Sequence, residues 1–142
     1  LDADTMRSCY ADDAHFEDPV FTLDGRDAIG AMWGMLADAV KAKGRDVWKL
    51  DFSGIEASGG RGRAHWEATY RFSATGRLVH NVIDAEFELR DGLIRRHIDR
   101  FDFWRWSRQA LGPAGVLLGW TPLLHNKVKA QAAANLACHR SR

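Results

Sequence analysis

Cysteine is scarce: Cys9 and Cys138 are the only two, and they stand near opposite ends of the chain. That excludes a disulfide scaffold and a cysteine-based metal site, and it suits a reducing, cytoplasmic setting. An excess of one charge is also missing. Twenty Lys and Arg face nineteen Asp and Glu, for a net charge of +1. Nucleic-acid binding, whose footprint is a strong basic surplus, is therefore not expected. No window holds the roughly 18 to 20 unbroken apolar residues of a membrane span. The most apolar stretch, 112–124, is interrupted by Pro113, Gly115, Gly119 and Pro122, so no membrane partner is expected either. The six histidines form no His-Glu-x-x-His or comparable cluster, and no glycine-rich phosphate loop follows a strand. Neither a metal nor a nucleotide cofactor is expected. What is present suits one globular domain: 142 residues, 46% of them hydrophobic and 27% charged, with six tryptophans. No repeat or low-complexity tract occurs, and the residues after Leu1 do not resemble a signal peptide. The chain opens on Leu1, so residues upstream are expected to be absent.

Periodicity sets the element pattern. Asp4 can cap a short helix carrying Met6, Cys9 and Tyr10 at i, i+3, i+4, ended by Asp12-Asp13. His15 to Asp18 reads as a short strand stopped by Pro19. Ile29, Met32, Trp33, Leu36 and Val40 form one helical stripe, with Asp27 near its start, Lys41 and Lys43 near its end, and Gly44 stopping it. Four strands follow. Trp48, Leu50 and Phe52 alternate, as do Trp66, Ala68, Tyr70 and Phe72. Val79, Asn81, Ile83, Ala85 and Phe87 then share a face opposite His80, Asp84 and Glu86. Asp91-Gly92 is a hairpin signal leading to Leu93–Phe103. Short turns make these strands antiparallel neighbours, so the fold class is α+β: a curled antiparallel meander covered by one long helix. Beyond Phe103 the pattern turns helical, with Thr121 capping and Pro122 at the first helical position. Residues 1–103 are expected to form the main domain and 104–142 a helical extension of it. Trp104, Trp106 and Trp120 in that extension read as packing, as a membrane-surface contact, or as a protein interface.

The order helix, short strand, long helix, curled meander is similar to the cone-shaped, cystatin-like fold of nuclear transport factor 2-like proteins. Tyr10-Ala11-Asp12-Asp13-Ala14-His15-Phe16-Glu17-Asp18-Pro19-Val20 resembles the steroid Δ5-3-ketoisomerase segment that ends in the catalytic Glu-Asp-Pro-Val. Gly25-Arg26-Asp27-Ala28-Ile29 resembles the entry to that family's long helix. Asp91-Gly92-Leu93-Ile94 through Asp99-Arg100-Phe101-Asp102 is similar to the last hairpin of SnoaL-like cyclases and limonene-epoxide hydrolases. The resemblance implies a pocket for a small apolar molecule, steroid- or polyketide-like, with cofactor-free proton transfer next to a carbonyl. A non-catalytic ligand-binding or dimerisation module of the same fold is the alternative, because this fold hosts both.

The site residues expected from these readings are as follows. Asp18, among Phe16, Val20 and Phe21, is either a desolvated base or a cap of the following turn. His97 and Asp99 share a strand face; they line the pocket, Asp99 as a second acid/base and His97 orienting the substrate, or His97 is a surface histidine with Asp99 paired to Arg95 or Arg100. Tyr70 and Asn81 are polar groups on apolar faces, placed to orient substrate or to satisfy buried neighbours. Trp33 and Phe16 are expected to line the pocket. In the ketoisomerases a first-helix tyrosine and a protonated aspartate form the oxyanion hole. The family's first helix is expected to lie largely before Leu1, and strict alternation turns Asp84, the candidate acid, outward unless a bulge reverses the register. Epoxide hydrolysis is disfavoured, since Ala68-Thr69-Tyr70 stands where its Arg-x-Asp is needed. Finally, a homodimer is expected, with the extension and an outer sheet face bearing Val82, Ile94 and Ile98 as its interface.

Overall fold

A computed structural model describes residues 1–142. Its elements run α1 (Ala3–Ser8), β1 (Tyr10–Glu17), β2 (Thr22–Asp24), α2 (Arg26–Lys43), β3 (Lys49–Ser58), β4 (Arg61–Arg71), β5 (Leu78–Arg90), β6 (Leu93–Arg100), α3 (Phe103–Leu111), α4 (Pro113–Leu118) and α5 (Pro122–Arg140). The strands form one curled, unclosed α+β cone sheet in the order β2-β1-β6-β5-β4-β3.

The meander from β3 to β6 is antiparallel as the short turns require. Asp91 and Gly92 both take positive φ, 54° and 78°, the mirror-image turn that matches strand twist. The sheet is larger than the four strands the turns suggest. β1 and β2 add a hairpin, and β1 runs parallel to β6. The N-terminal reading needs correction: Asp2, not Asp4, caps α1, and Tyr10 opens a strand in which Asp12 and Asp13 lie. Tyr10, Ala14 and Phe16 are buried along it, so burial against the sheet overrides the helical spacing that local signals suggest.

α2 buries Ile29, Met32, Ala37 and Val40; Leu36, expected on the same stripe, is exposed. Its buried side meets Tyr10, Phe16 and Phe21 in the main core, which Leu136 of α5 also enters. A second core forms where Trp106 and Ala110 of α3 pack on Val79. The extension is thus packed against the cone at two points. β6 stops opposite Asp84, and the Gln109 carboxamide takes over its role. Gln109 Oε1 accepts from the His80 N–H at 2.7 Å and Nε2 donates to the His80 carbonyl at 3.2 Å.

β3 is different. Every one of its residues is exposed. Leu50 and Phe52 pair across to Ala68 and Trp66, so they stand on the concave face. α2 does not extend over them, and the cone is open on that side. The convex face is a mesh of charge: Asp84 to His65 at 2.8 Å, His80 to Glu67 at 2.8 Å, and Arg100 to Glu86 at 2.8 Å. Val82 and Ile98 are half-buried among those side chains; Ile94, expected on the same outer face, instead packs against the main core, because the irregularity between Glu88 and Leu89 pairs it with Leu89.

Candidate functional site

The site is built on the concave face, where alternation lines up side chains from three strands. Ala68 pairs with Asn81, Tyr70 with Val79, Phe87 with His97 and Ala85 with Asp99. Paired residues point to the same side of a sheet, so Tyr70, Asn81, His97 and Asp99 share one wall. Asn81 and Asp99 are buried there, and Asp84 points outward against His65.

Asp18 sits just past the end of β1. Its Oδ1 accepts from the backbone N–H of Val20 at 2.7 Å and of Phe21 at 2.6 Å. The two sequence readings of this residue therefore coexist: it caps its turn, and it is desolvated. Burial pushes its pKa up to about 6, against the lowering effect of the two backbone donors. The charge of Asp99 raises it further and His97 opposes that, which puts both groups within electrostatic reach.

His97 is sealed in an aromatic cage. The rings of Phe87 at 4.5 Å, Phe16 at 4.9 Å and Trp66 at 5.9 Å surround it. Its nitrogens belong to a chain of hydrogen bonds. Trp33 Nε1 lies 3.2 Å from the Tyr10 hydroxyl, that hydroxyl 2.7 Å from His97 Nδ1, and His97 Nε2 2.6 Å from Asp99 Oδ1. Tryptophan can only donate. Trp33 therefore donates to the Tyr10 hydroxyl, and that hydroxyl and the Asp99 carboxyl bracket the two ring nitrogens of His97.

The helical spacing of Met6, Cys9 and Tyr10 conceals Tyr10 as a site residue. The signal for it was the two-residue spacing of Ala14 and Phe16 behind it. Phe16 and His97 are almost fully sealed, so they support the site from behind. Trp33 is half-buried. Asp99 pairs with His97, whereas Arg95 and Arg100 pair with Glu88 and Glu86. Asp102 caps α3 by accepting from the Arg105 N–H at 3.0 Å.

Spare hydrogen-bonding capacity marks the open part of the wall. Asp18 Oδ2, Asp99 Oδ2 and the Asn81 carboxamide have no partner within the chain. The one sealed side-chain polar atom without a partner is Arg26 Nε, so these groups border space that solvent or a ligand can reach. The Tyr70 hydroxyl accepts from Trp106 Nε1 at 2.8 Å, which leaves its own proton free to donate. Burial raises its pKa to about 12, keeping that proton in place at neutral pH. Tyr70 and Asn81 are diagonal neighbours on the wall, a spacing of about 7–8 Å. Toward β3 the wall becomes apolar, with half-buried Trp66, Ile83 and Phe87 and exposed Phe52. The extension braces the opposite end: His125 Nε2 donates to the Pro19 carbonyl at 2.5 Å, and the His125 ring stacks on Phe103 at 4.1 Å.

Residues 1–97 match the family model of the SnoaL-like domain. No curated protein matches the chain. Among solved structures, the chain is similar to a Catenulispora acidiphila protein of ketosteroid isomerase-like fold in complex with trimethylamine. The TM-score is 0.64 and the identity 15%, over 84% of this chain and 87% of that one. A candidate polyketide cyclase from Silicibacter sp. gives TM-score 0.61 and 20% identity, over 77% and 83%. An epoxide hydrolase of the limonene-epoxide hydrolase-like type from M. tuberculosis gives 0.58 and 19%, over 86% and 82%. At these identities the likeness establishes the fold.

Proposed function

The chain belongs to the SnoaL-like domain family, and from that membership and the concave wall we propose that it catalyses cofactor-free proton transfer next to the carbonyl of an apolar ring compound. Asp18 is the base, taking an α-proton on Oδ2 while Oδ1 stays anchored to its turn. The developing enolate oxygen is met by the Tyr70 hydroxyl and the Asn81 amide, the charge-stabilising role that dominates such reactions. Asp99, held by His97 and through it by Tyr10 and Trp33, takes that proton over from Asp18 and delivers it to the product carbon, so that both carboxylates end the cycle as they began it. Trp66, Ile83, Phe87 and Phe52 receive the apolar body of a steroid- or polyketide-like substrate.

A single observation supports the reading: Asp18, with a raised pKa and a free oxygen, lies within electrostatic reach of Tyr70, whose hydroxyl proton is free on the wall that also carries the unpartnered Asn81 carboxamide. A base poised near 6 is largely ionised at neutral pH yet still basic enough to abstract a proton. The test uses a β,γ-unsaturated steroid ketone as probe, followed by the ultraviolet absorbance of the conjugated product. Asp18→Asn is expected to lower kcat by about 10²- to 10⁴-fold. Asn81→Ala and Tyr70→Phe are each expected to lower kcat/KM by about 10- to 10³-fold. Turnover unchanged in Asp18→Asn would overturn the proposal.

A second reading keeps the pocket and drops the chemistry. The Tyr10 hydroxyl, which could complete an oxyanion hole, is consumed between Trp33 and His97. A non-catalytic carrier of an apolar ligand would bind the probe in the wild type and in Asp18→Asn alike, and convert it in neither.

A further inference from the structure

The charge balance of the whole chain conceals two opposite halves. Residues 103–142 hold six Lys and Arg and no Asp or Glu; residues 1–102 hold 14 basic and 19 acidic residues, a net charge of −5. The basic half also carries the largest run of exposed apolar side chains in the molecule. Leu117 is 69% exposed, Trp120 70% and Leu123 79%, with Val116 and Leu118 beside them. These residues form the end of α4, the turn to α5 and its first turn, 116–123, with no charge among them.

The apolar tip is joined to a basic groove by direct contacts. Trp104 Nε1 donates to the Val116 carbonyl at 3.4 Å, and the Arg108 guanidinium lies over the Trp104 ring at 4.4 Å. Arg108, Arg105 and Arg77 line one open surface groove with Leu78 and Gln109. None of the three arginines is ion-paired; the arginine pairs all lie elsewhere. Two are held in place: Arg108 by Trp104, and Arg77 by its Nε–H bond to the Gln109 carbonyl at 2.8 Å. Their remaining N–H groups are free for an oxyanion. Exposed Lys127 stands one turn beyond Leu123 on the same side of α5.

We infer that the α3–α5 extension docks on an anionic lipid bilayer, the 116–123 tip entering the headgroup region and Arg77, Arg105 and Arg108 meeting lipid phosphates. A tryptophan-bearing apolar tip flanked by unpaired arginines is the composition that lies in a membrane interface. Phosphate-lined grooves of nucleic acid would match the arginines and leave the tip in water. A second copy meeting this one through the same patch would have to place like charges face to face. The absence of any helix able to span a bilayer is no obstacle, since the surface is reached and not crossed. The inference departs from the expectation of no membrane partner and stands independently of the concave site.

Cosedimentation of the full chain with vesicles tests it. Vesicles of phosphatidylcholine with phosphatidylserine should bring the protein down, and phosphatidylcholine alone should not. Binding should fall as salt rises. Arg105→Glu with Arg108→Glu should weaken it by about thirtyfold or more. Leu117→Ser with Trp120→Ser should abolish it; both side chains are mostly in solvent, so the thermal midpoint should stay unchanged. Three results would each overturn the inference: no binding to either vesicle, equal binding to both, or vesicle binding untouched by the tip variant. Tight binding to a single-stranded oligonucleotide without vesicle binding, or a tip variant whose only effect is to turn a dimer into a monomer, would overturn it too.

Discussion

Asp18 carries two duties that usually conflict. Its Oδ1 organises the turn through Val20 and Phe21, and its location strips water from the charge. A folded-state pKa raised to about 6 from an ordinary value near 4 means that ionisation opposes folding. The favourable contribution of the neutral acid is complete below about pH 4 and is lost as pH rises through about 6. Asp18→Asn keeps the turn acceptor and removes the charge. It is therefore expected to be more stable than wild type at pH 8, by on the order of 1–3 kcal/mol, and equal to it near pH 4; denaturant titrations at the two pH values check this. The same variant identifies the Asp18 signal in a carbon-13 carboxyl titration, whose midpoint is expected near 6. The His97 chain makes a further residue-scale prediction. Tyr10→Phe should perturb the His97 nitrogen-15 shifts by removing the hydroxyl partner of Nδ1. Loss of that buried hydrogen bond should cost about 1–3 kcal/mol. Asp18, Asp99 and Asn81 were legible in the sequence through strand alternation and the Glu-Asp-Pro-Val resemblance. Tyr10 was not. Its neighbours supply both a helical and a strand spacing, and only burial against the sheet decides between them.

Among the elements, the strong periodicities were readable: α2, the long β4 and β5, and the Thr121-Pro122 start of α5. The β1–β2 hairpin was partly hidden, because a three-residue strand such as Thr22–Asp24 carries too few residues to show a period. The exposure of β3 could not be read at all. Leu50 and Phe52 alternate like core residues, and whether a helix reaches over them is a question of tertiary coverage. The extension makes its own predictions. α3 and α4 pack so closely at Gly115 that a Cβ there would overlap the backbone carbonyl of Ser107. Gly115→Ala is expected to cost about 1–3 kcal/mol and several degrees of thermal midpoint, read by calorimetry. His125 ties α5 to the turn after Asp18. Its replacement by Ala should let water reach that turn and move the Asp18 midpoint down toward 4, while a purely structural contact would leave the midpoint in place.

On the scale of the whole molecule, the cone keeps Asn81, His97 and Asp99 on the concave side and its charge mesh on the convex side, and the extension packs against one end. The family and fold were legible because element order and turn positions are set by local chemistry. The division of charge between the two halves was present in the sequence and cancelled in the total. The central claim is that the concave wall moves a proton on a carbon next to a carbonyl. It is tested most directly by following α-proton exchange into deuterium oxide, by proton NMR, for a panel of steroid and polycyclic aromatic ketones with wild type and Asp18→Asn. The account predicts exchange above buffer for at least one ketone, rising with pH through about 6 as Asp18 ionises and falling by about 10²-fold or more in Asp18→Asn. Exchange no faster than in buffer for every ketone, or equal in the two proteins, would contradict it.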